Sequence, residues 1–445
     1  MKIYLWHLWE LLRTSFWFVP LFMMFLSAVI AIATIWVDLH VHLSGLPLQS
    51  WLISASPDNA AGLISTIASS IITVAGVVFS MTMVVLSLAS SQLGPRLLRN
   101  FIRDPITQIG LGIFTSTFLY CLLILAWLLT LAESNVRLQL SLSIAIFLAL
   151  TCLIMLIRYI HHVAVFIQAD TLIQSVSDEL CCAIDTLYPD DIHDDNTELV
   201  MNAGIDGPPS RFHIPSLSNG YIQAVDLQKL FLLAKEQEST IELLYQPGEF
   251  IIENIPLAII YHHESPKKTV VKAINQCFIV GDVATPEQDI VFNVRQLEEV
   301  ALRALSSGIN DPRTAIACIN RLTIALGLLL RRKFPPNNHY DENQNLCLIV
   351  NNVNFENIAD AAFDQIRHNC NQNHAVSLSL LDSLLMLAKQ AIRTVDKHAI
   401  EKHAVLVSNA CIESSNEPVD RAKIEIKLKA IRETLQQNSA TFTNI

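Results

Sequence analysis

Charge is scarce in this chain. Only 16% of its 445 residues are Asp, Glu, Lys or Arg, and 52% are hydrophobic; a soluble domain carries about 25% charged residues. The scarcity is concentrated before residue 160. Of 30 basic and 41 acidic residues, only seven basic (Lys2, Arg13, Arg96, Arg99, Arg103, Arg137, Arg158) and five acidic (Glu10, Asp38, Asp58, Asp104, Glu133) fall there. The rest of the chain therefore holds 23 basic and 36 acidic residues. That acid excess sets nucleic acid aside as a partner. The nine cysteines are odd in number and contain no CxxC pair, so a disulfide scaffold is not expected and reduced, free thiols are. Also missing are GxxxxGK[ST], HExxH and GxSxG, the signatures of phosphate-binding loops, zinc hydrolases and serine hydrolases. No catalytic residue, cofactor or metal site is expected from these motifs.

What the first part has instead is length of apolar run. Residues 15–37, 63–89, 107–131 and 138–157 are each long enough to cross a bilayer, which takes roughly 20 residues. Trp6, Trp9, Phe16, Trp17 and Phe18 at the start of the first run and Trp36 at its end form an aromatic belt. The run is too long for the apolar core of a cleaved signal peptide. Residues 38–62 contain no Lys or Arg, whereas 92–105 contain Arg96, Arg99 and Arg103. The positive-inside rule predicts that both chain ends and the arginine segment face the cytosol. No acid, base or histidine lies in the body of any run, which argues against transport coupled to a buried carboxylate.

The second run carries a pattern. Gly62, Thr66, Ser69, Thr73, Gly76, Ser80, Met83, Ser87 and Ser90 recur at alternating steps of four and three. This is a heptad seam in which every member but Met83 is small or hydroxylated, and a 3.5-residue repeat implies left-handed supercoiled packing. The face with Ile67, Ile71, Val74, Val78, Met81, Val85 and Leu88 suits lipid or an apolar neighbour. The seam reads in two ways: close helix–helix packing with hydroxyls bonded to their own backbone, or a pore lining in an oligomer. Gly94-Pro95 ends the helix, and residues 96–103 form a basic amphipathic stretch. Arg96, Arg99 and Arg103 there would contact lipid headgroups or ring an inner mouth.

Beyond the membrane part the sequence predicts a cytosolic α+β domain. The expected divisions are a four-helix transmembrane domain at 1–160, a helix extension and acidic linker at 161–219, a small β-rich unit at 220–286, and a helical region at 287–445. The helix leaving the membrane is expected to continue to about residue 187. In the β unit, Asp226 is placed to cap a short helix, and PGEFIIENIPLAII looks like half of a biotinyl-type barrel without the modified lysine. In the last region Val294, Leu297, Val300, Ala301 and Ala304 form one apolar helical face. The helix then breaks at residues 306–312, where Asp311 and Pro312 suit the start of the next. Arg303, Asn310, Asp311 and Arg313 are a candidate polar cluster at that corner, either a capped turn or a ligand or interface site. His161/His162 and His262/His263 are adjacent pairs, whose side chains point apart. His368, Cys370 and His374 could bind zinc with an outside ligand, but their spacing matches no standard zinc finger, and the favoured reading is polar loop residues. Cys181 and Cys182 read as small apolar helix residues.

Two stretches are recognisable: STIASSIITVAGVVFSMTMVVLSLASSQLGPRLLRNFIRDP and QDIVFNVRQLEEVALRALSSGINDPRTA. They resemble the domain-of-unknown-function 2254 family of predicted bacterial membrane proteins, over most of the chain up to about residue 330. The resemblance implies a bacterial inner-membrane location and no particular activity. Three functions remain open. The chain is a homo-oligomeric channel-like protein lined by the second helix, a membrane-anchored sensor or scaffold whose acidic domain binds a ligand or protein, or a membrane enzyme. The missing catalytic signatures place the enzyme last.

Overall fold

A computed structural model describes residues 17–40, 56–93, 104–130, 139–166, 168–188, 210–370, 373–414 and 417–441. The chain divides into two compact units, Met1–Thr171 and Leu172–Ile445.

The first unit is built from four apolar helices: α1 (Phe18–His40), α2 (Pro57–Leu93), α3 (Pro105–Thr130) and α4 (Gln139–Phe166). All four are long and apolar enough to cross a membrane. α3 is the hub, with α1 and α2 each packed along it and α4 against it. Small side chains permit that approach, as lipid supplies no hydrophobic drive between helices. On α1 the buried positions are Pro20, Ser27, Ala31 and Thr34. An added Cβ on Gly112 of α3 would lie 2.4 Å from Met23 Sδ and 3.4 Å from Pro20 Cα. The Ser27 hydroxyl donates across to the Ser116 carbonyl at 2.6 Å. α2 buries Ala60, Ile64, Ala68, Ile71, Ala75, Val78, Thr82 and Val85 against α3 and α4. At one end of the unit these meet Tyr120, Ile124, Leu128 and Leu142; towards the other they meet Phe114, Cys152, Met155 and Tyr159. Leu21, Phe25, Val77, Phe147, Leu153 and Ile157 point outward, as lipid-facing residues do.

The predicted continuous helix from the membrane to residue 187 is instead two. α4 ends at Phe166 and α5 runs Ala169–Leu187. The junction falls where composition changes: α4 is apolar, and α5 carries Asp170, Asp178, Glu179 and Asp185 on an amphipathic frame.

The second unit is mixed α/β. Its strands are β1 (Ser210–Pro215), β2 (Gly220–Val225), β3 (Thr240–Leu243), β4 (Phe250–Ile251), β5 (Pro256–His262), β6 (Phe278–Gly281), β7 (Asn338–Tyr340) and β8 (Leu346–Ile349). They form a five-stranded sheet of order β1-β5-β3-β8-β7 and a three-stranded sheet β4-β2-β6. Every pairing is antiparallel except β3 with β8. Asp226 caps α6 (Leu227–Glu236) by accepting from the Lys229 amide, as predicted. α7 (Lys268–Asn275) precedes β6. Both sheets and both helices contribute to one core that includes Ile222, Leu230, Ile241, Leu257, Ile274 and Leu348. Gly220 has φ +138°, and a Cβ there would sit 2.6 Å from the Gly281 carbonyl oxygen, so only glycine fits this edge. The sheets draw in strands on both sides of 220–286, so the half-barrel pattern seen in that segment is not a unit by itself.

The remaining helices are α8 (Ile290–Ala304), α9 (Pro312–Leu329), α10 (Phe355–Asn369), α11 (His374–Ala388), α12 (Thr394–Ser414) and α13 (Pro418–Thr441). α8 packs on α9 and α10, α9 on α11, α10 on α12, and α11 to α13 pack on one another. The predicted apolar face of α8, Val294, Leu297, Val300, Ala301 and Ala304, is buried.

Candidate functional site

The second-helix seam lies on the outside of the chain. Gly62, Thr66, Ser69, Thr73, Gly76, Ser80, Met83 and Ser87 are all exposed, on a different face of α2 from the one that packs on α3 and α4. A Cβ added at Gly62 or Gly76 would meet no described atom within 4 Å. Three of the hydroxyls turn back onto their own helix. Thr66 donates to the Gly62 carbonyl at 2.8 Å, Ser69 to Thr66 at 3.0 Å and Thr73 to Ser69 at 2.8 Å. Such bonds satisfy the hydroxyl hydrogen without a neighbour, leaving the oxygen free to accept. Arg96, Arg99 and Arg103 lie outside the described residues.

Both ends of the four-helix unit are fastened by a carboxylate. At one end Asp38, near the C-terminus of α1, accepts from the Leu140 amide at 3.0 Å, the Ser141 amide at 2.9 Å and the Ser141 hydroxyl at 2.7 Å. It thus caps α4 from another helix, satisfying amides that have no partner within their own. Below it the Tyr120 hydroxyl donates to the Ser141 carbonyl at 3.1 Å and lies 3.2 Å from the Thr34 hydroxyl. At the other end Asp104 caps α3 through the Thr107 amide at 2.8 Å and hydroxyl at 2.6 Å. His162 Nε2 of α4 lies 2.9 Å from the same carboxylate oxygen. The Tyr159 and Thr82 hydroxyls are hydrogen-bonded beneath this end, joining α4 to α2. Sequence reasoning passed over both carboxylates. Asp104 had a local signal, an Asp just before Pro105 with Thr107 three residues on. Asp38 had none, because its partners lie more than 100 positions away.

In the second unit the corner cluster is only partly assembled. Asp311 caps α9, accepting from the Arg313 amide at 3.1 Å, the Thr314 amide at 3.3 Å and the Thr314 hydroxyl at 2.6 Å. The Thr314 hydroxyl bond, with the two amide bonds and the Arg313 charge, holds its carboxyl below the usual range. Asn310 takes the left-handed conformation at φ +48°, and its amide donates to the Ser306 carbonyl at 2.9 Å. Arg303 pairs with Glu299 at 3.3 Å, and the Arg313 side chain is exposed. The geometry is that of a capped turn. Asp311→Ala is expected to cost about 1 kcal/mol. The folded carboxyl has the lower pKa, so this contribution is present above the unfolded carboxyl range and is lost as pH falls through the folded value. Unfolding curves of both proteins should therefore differ near neutral pH and converge in acid.

His368, Cys370 and His374 do not converge. Cys370 is buried with its sulfur 3.5 Å from the Ser377 hydroxyl, and His374 lies 3.5 Å from Asp420. The one group of potential metal-ligating side chains among the described residues is elsewhere, at Asp360, Asp364 and His403.

The model of a family described as predicted membrane protein (DUF2254) matches residues 13–386, further along the chain than the two recognisable stretches. Uncharacterized proteins of Mycobacterium bovis and of a Mycobacterium tuberculosis strain are each 28% identical over 392 residues, 86% of this chain and 74% of theirs. No solved structure matches.

Proposed function

Because the chain belongs to the domain-of-unknown-function 2254 family of predicted membrane proteins, we propose its function from its own geometry: an oligomeric, channel-like protein of the bacterial plasma membrane. Copies of α2 would bring Thr66, Ser69, Thr73, Gly76, Ser80 and Ser87 to a shared axis. One observation carries this reading. The seam is exposed at every position from Gly62 to Ser87 while α2 uses a separate, apolar face to join its own chain. Exposed glycine and hydroxyl side chains gain little from lipid tails. They permit close helix approach and offer oxygen atoms to water in a narrow uncharged pore. The positive-inside pattern would put both chain ends and the acidic second unit in the cytosol, with Arg96, Arg99 and Arg103 near the inner mouth, where they favour anions.

The test is conductance of the purified protein in planar bilayers, with Ser80→Trp alongside. Unitary currents are expected from the natural chain and none from a Ser80→Trp protein that still folds and assembles. Silence of the natural chain across voltage, tension and pH would remove the channel reading.

A second reading, a membrane-anchored sensor or scaffold, is favoured by the backbone bonds of Thr66, Ser69 and Thr73, which let the seam rest in lipid unaided. In that case Ser80→Trp leaves ligand or partner binding by the second unit unchanged.

A further inference from the structure

The polar cluster between α10 and α12 has a composition that the helix packing alone does not explain. Glu356, Asp360 and Asp364 stand four residues apart on one face of α10, followed by Arg367, a spacing that aligns side chains along a helix. Across from them on α12 are Lys402 and His403. Lys402 Nζ lies 2.8 Å from Glu356 and 3.0 Å from Asp360, and Arg367 lies 3.1 Å from Asp364. Three carboxylates thus face two permanent cations.

His403 is the unusual member. It is fully buried (0% exposed), edge-on to Phe363 at 5.8 Å. Both ring nitrogens look towards carboxylates. Nε2 is 2.9 Å from an Asp360 oxygen and Nδ1 is 4.0 Å from an Asp364 oxygen. Yet neither nitrogen makes a hydrogen bond: the first contact is close but misaligned, and the second is too long. A buried imidazole without hydrogen-bond partners is rare and costly. A buried imidazole with unsatisfied nitrogens, set against two carboxylates, asks for a cation.

We propose that Asp360, Asp364 and His403 form a binding site for a divalent transition-metal ion of the Zn2+ class. Each residue has one ligand atom to offer, and these atoms lie within 4.8 Å of one another. Zinc takes imidazole nitrogen and carboxylate oxygen at about 2.0–2.2 Å, so two donors to one ion stand roughly 3–4 Å apart, and a small rotation of the half-exposed aspartates closes the set. One imidazole with two carboxylates suits zinc, cobalt or manganese, and no thiolate is present to demand a softer ion. The aspartate side chains are 32% and 36% exposed, which gives the ion a route in from solvent. Lys402 is the resident competitor, since its ammonium rests on Asp360. An entering ion displaces it, and three carboxylates then face Arg367 and a double charge, a balanced set. The site is independent of what the membrane helices do.

Zn2+ titration of the full chain in detergent, followed by calorimetry and by metal content after dialysis, tests the proposal. One ion per chain that depends on these residues is expected. Asp364→Asn and His403→Gln should each weaken it by tenfold or more, the scale on which metal sites respond to lost partners. Lys402→Met should tighten it, an outcome that a merely structural cluster has no reason to show. His403→Gln tests a buried position that folding depends on, so half-exposed Asp364→Asn and Lys402→Met provide the decision if it unfolds. The proposal is overturned if neither the natural chain nor Lys402→Met binds Zn2+, or if binding is indifferent to Asp364→Asn and Lys402→Met.

Discussion

Asp38→Ala is expected to destabilise the four-helix unit by about 3 kcal/mol, because three donors lose one charged acceptor at once. Two of them are backbone amides in the first turn of α4, which have no acceptor within the helix. The third is the Ser141 hydroxyl, and Ser141 also holds Tyr120 through its carbonyl. Loosening the start of α4 therefore reaches Tyr120 and, through it, Thr34 of α1. Asp38→Asn should fall between, since its single carbonyl oxygen keeps one acceptor and turns an amide donor towards the rest. Asp58 is the control. It is an exposed acid in the first turn of α2, and Asp58→Ala should stay within about 0.5 kcal/mol. Circular dichroism of the purified proteins in one detergent, heated or titrated with denaturant, reads the difference. Equal effects of Asp38→Ala and Asp58→Ala would mean that the cross-helix cap contributes nothing.

Gly76→Leu and Ala75→Leu, one residue apart, should have opposite effects. Gly76 faces outward with open space at its Cβ position, and replacing a helical glycine gains roughly 0.5–1 kcal/mol of helix propensity. The single chain should fold as well as before or better. Ala75 is 5% exposed, in the cluster with Val78, Phe114 and Tyr159. Leucine there overpacks the junction with α3 and α4, at a cost of about 1–3 kcal/mol. On the proposed assembly, Gly76→Leu wedges neighbouring copies of α2 apart, so the oligomer and its conductance are lost from a well-folded chain. Light scattering in detergent, chemical cross-linking and bilayer recording follow the three quantities separately. A Gly76→Leu protein that keeps its oligomer and its current would end the pore assignment for this face. A Gly76→Leu protein that unfolds would mean that the seam packs within the chain.

The spans were legible in the sequence because they rest on local quantities, length and apolarity, and the structure places helices over all four runs. The Asp226 and Asp311 caps were legible for the same reason, since each bonds amides two or three residues ahead. The sheet was not. β8 is four residues long and pairs in parallel with β3, Ile241 against Leu348 and Glu242 against Ile349, and nothing in so short a strand names a partner that distant. β1 lies at the end of an acidic, proline-containing stretch, and its apolar residues Phe212 and Ile214 find their place only against β5. The seam on α2 was visible as a pattern, but which way it faced was not. Periodicity defines a face, and the neighbours decide whether it is inside or outside. The Asp360, Asp364 and His403 group was half visible. Two acids four apart on a helix are ordinary surface chemistry, and only the packing of α10 on α12 brings a buried histidine, from another helix of the chain, between them.

The hub position of α3 has a consequence for how the protein is made. α1 and α2 each pack along α3 and scarcely along each other, yet both leave the ribosome before it. Each must enter the bilayer as a separate span and wait there. Association can begin only when the third span arrives, and the Asp38 clasp only when the fourth does. Nascent chains arrested after α2 should therefore hold two helices tethered by the chain between them but not packed together, and open to quality-control proteolysis. Chains arrested after α3 should already be protected. Biogenesis of this bundle thus has one committing step, set by the third helix and not by the first to be inserted.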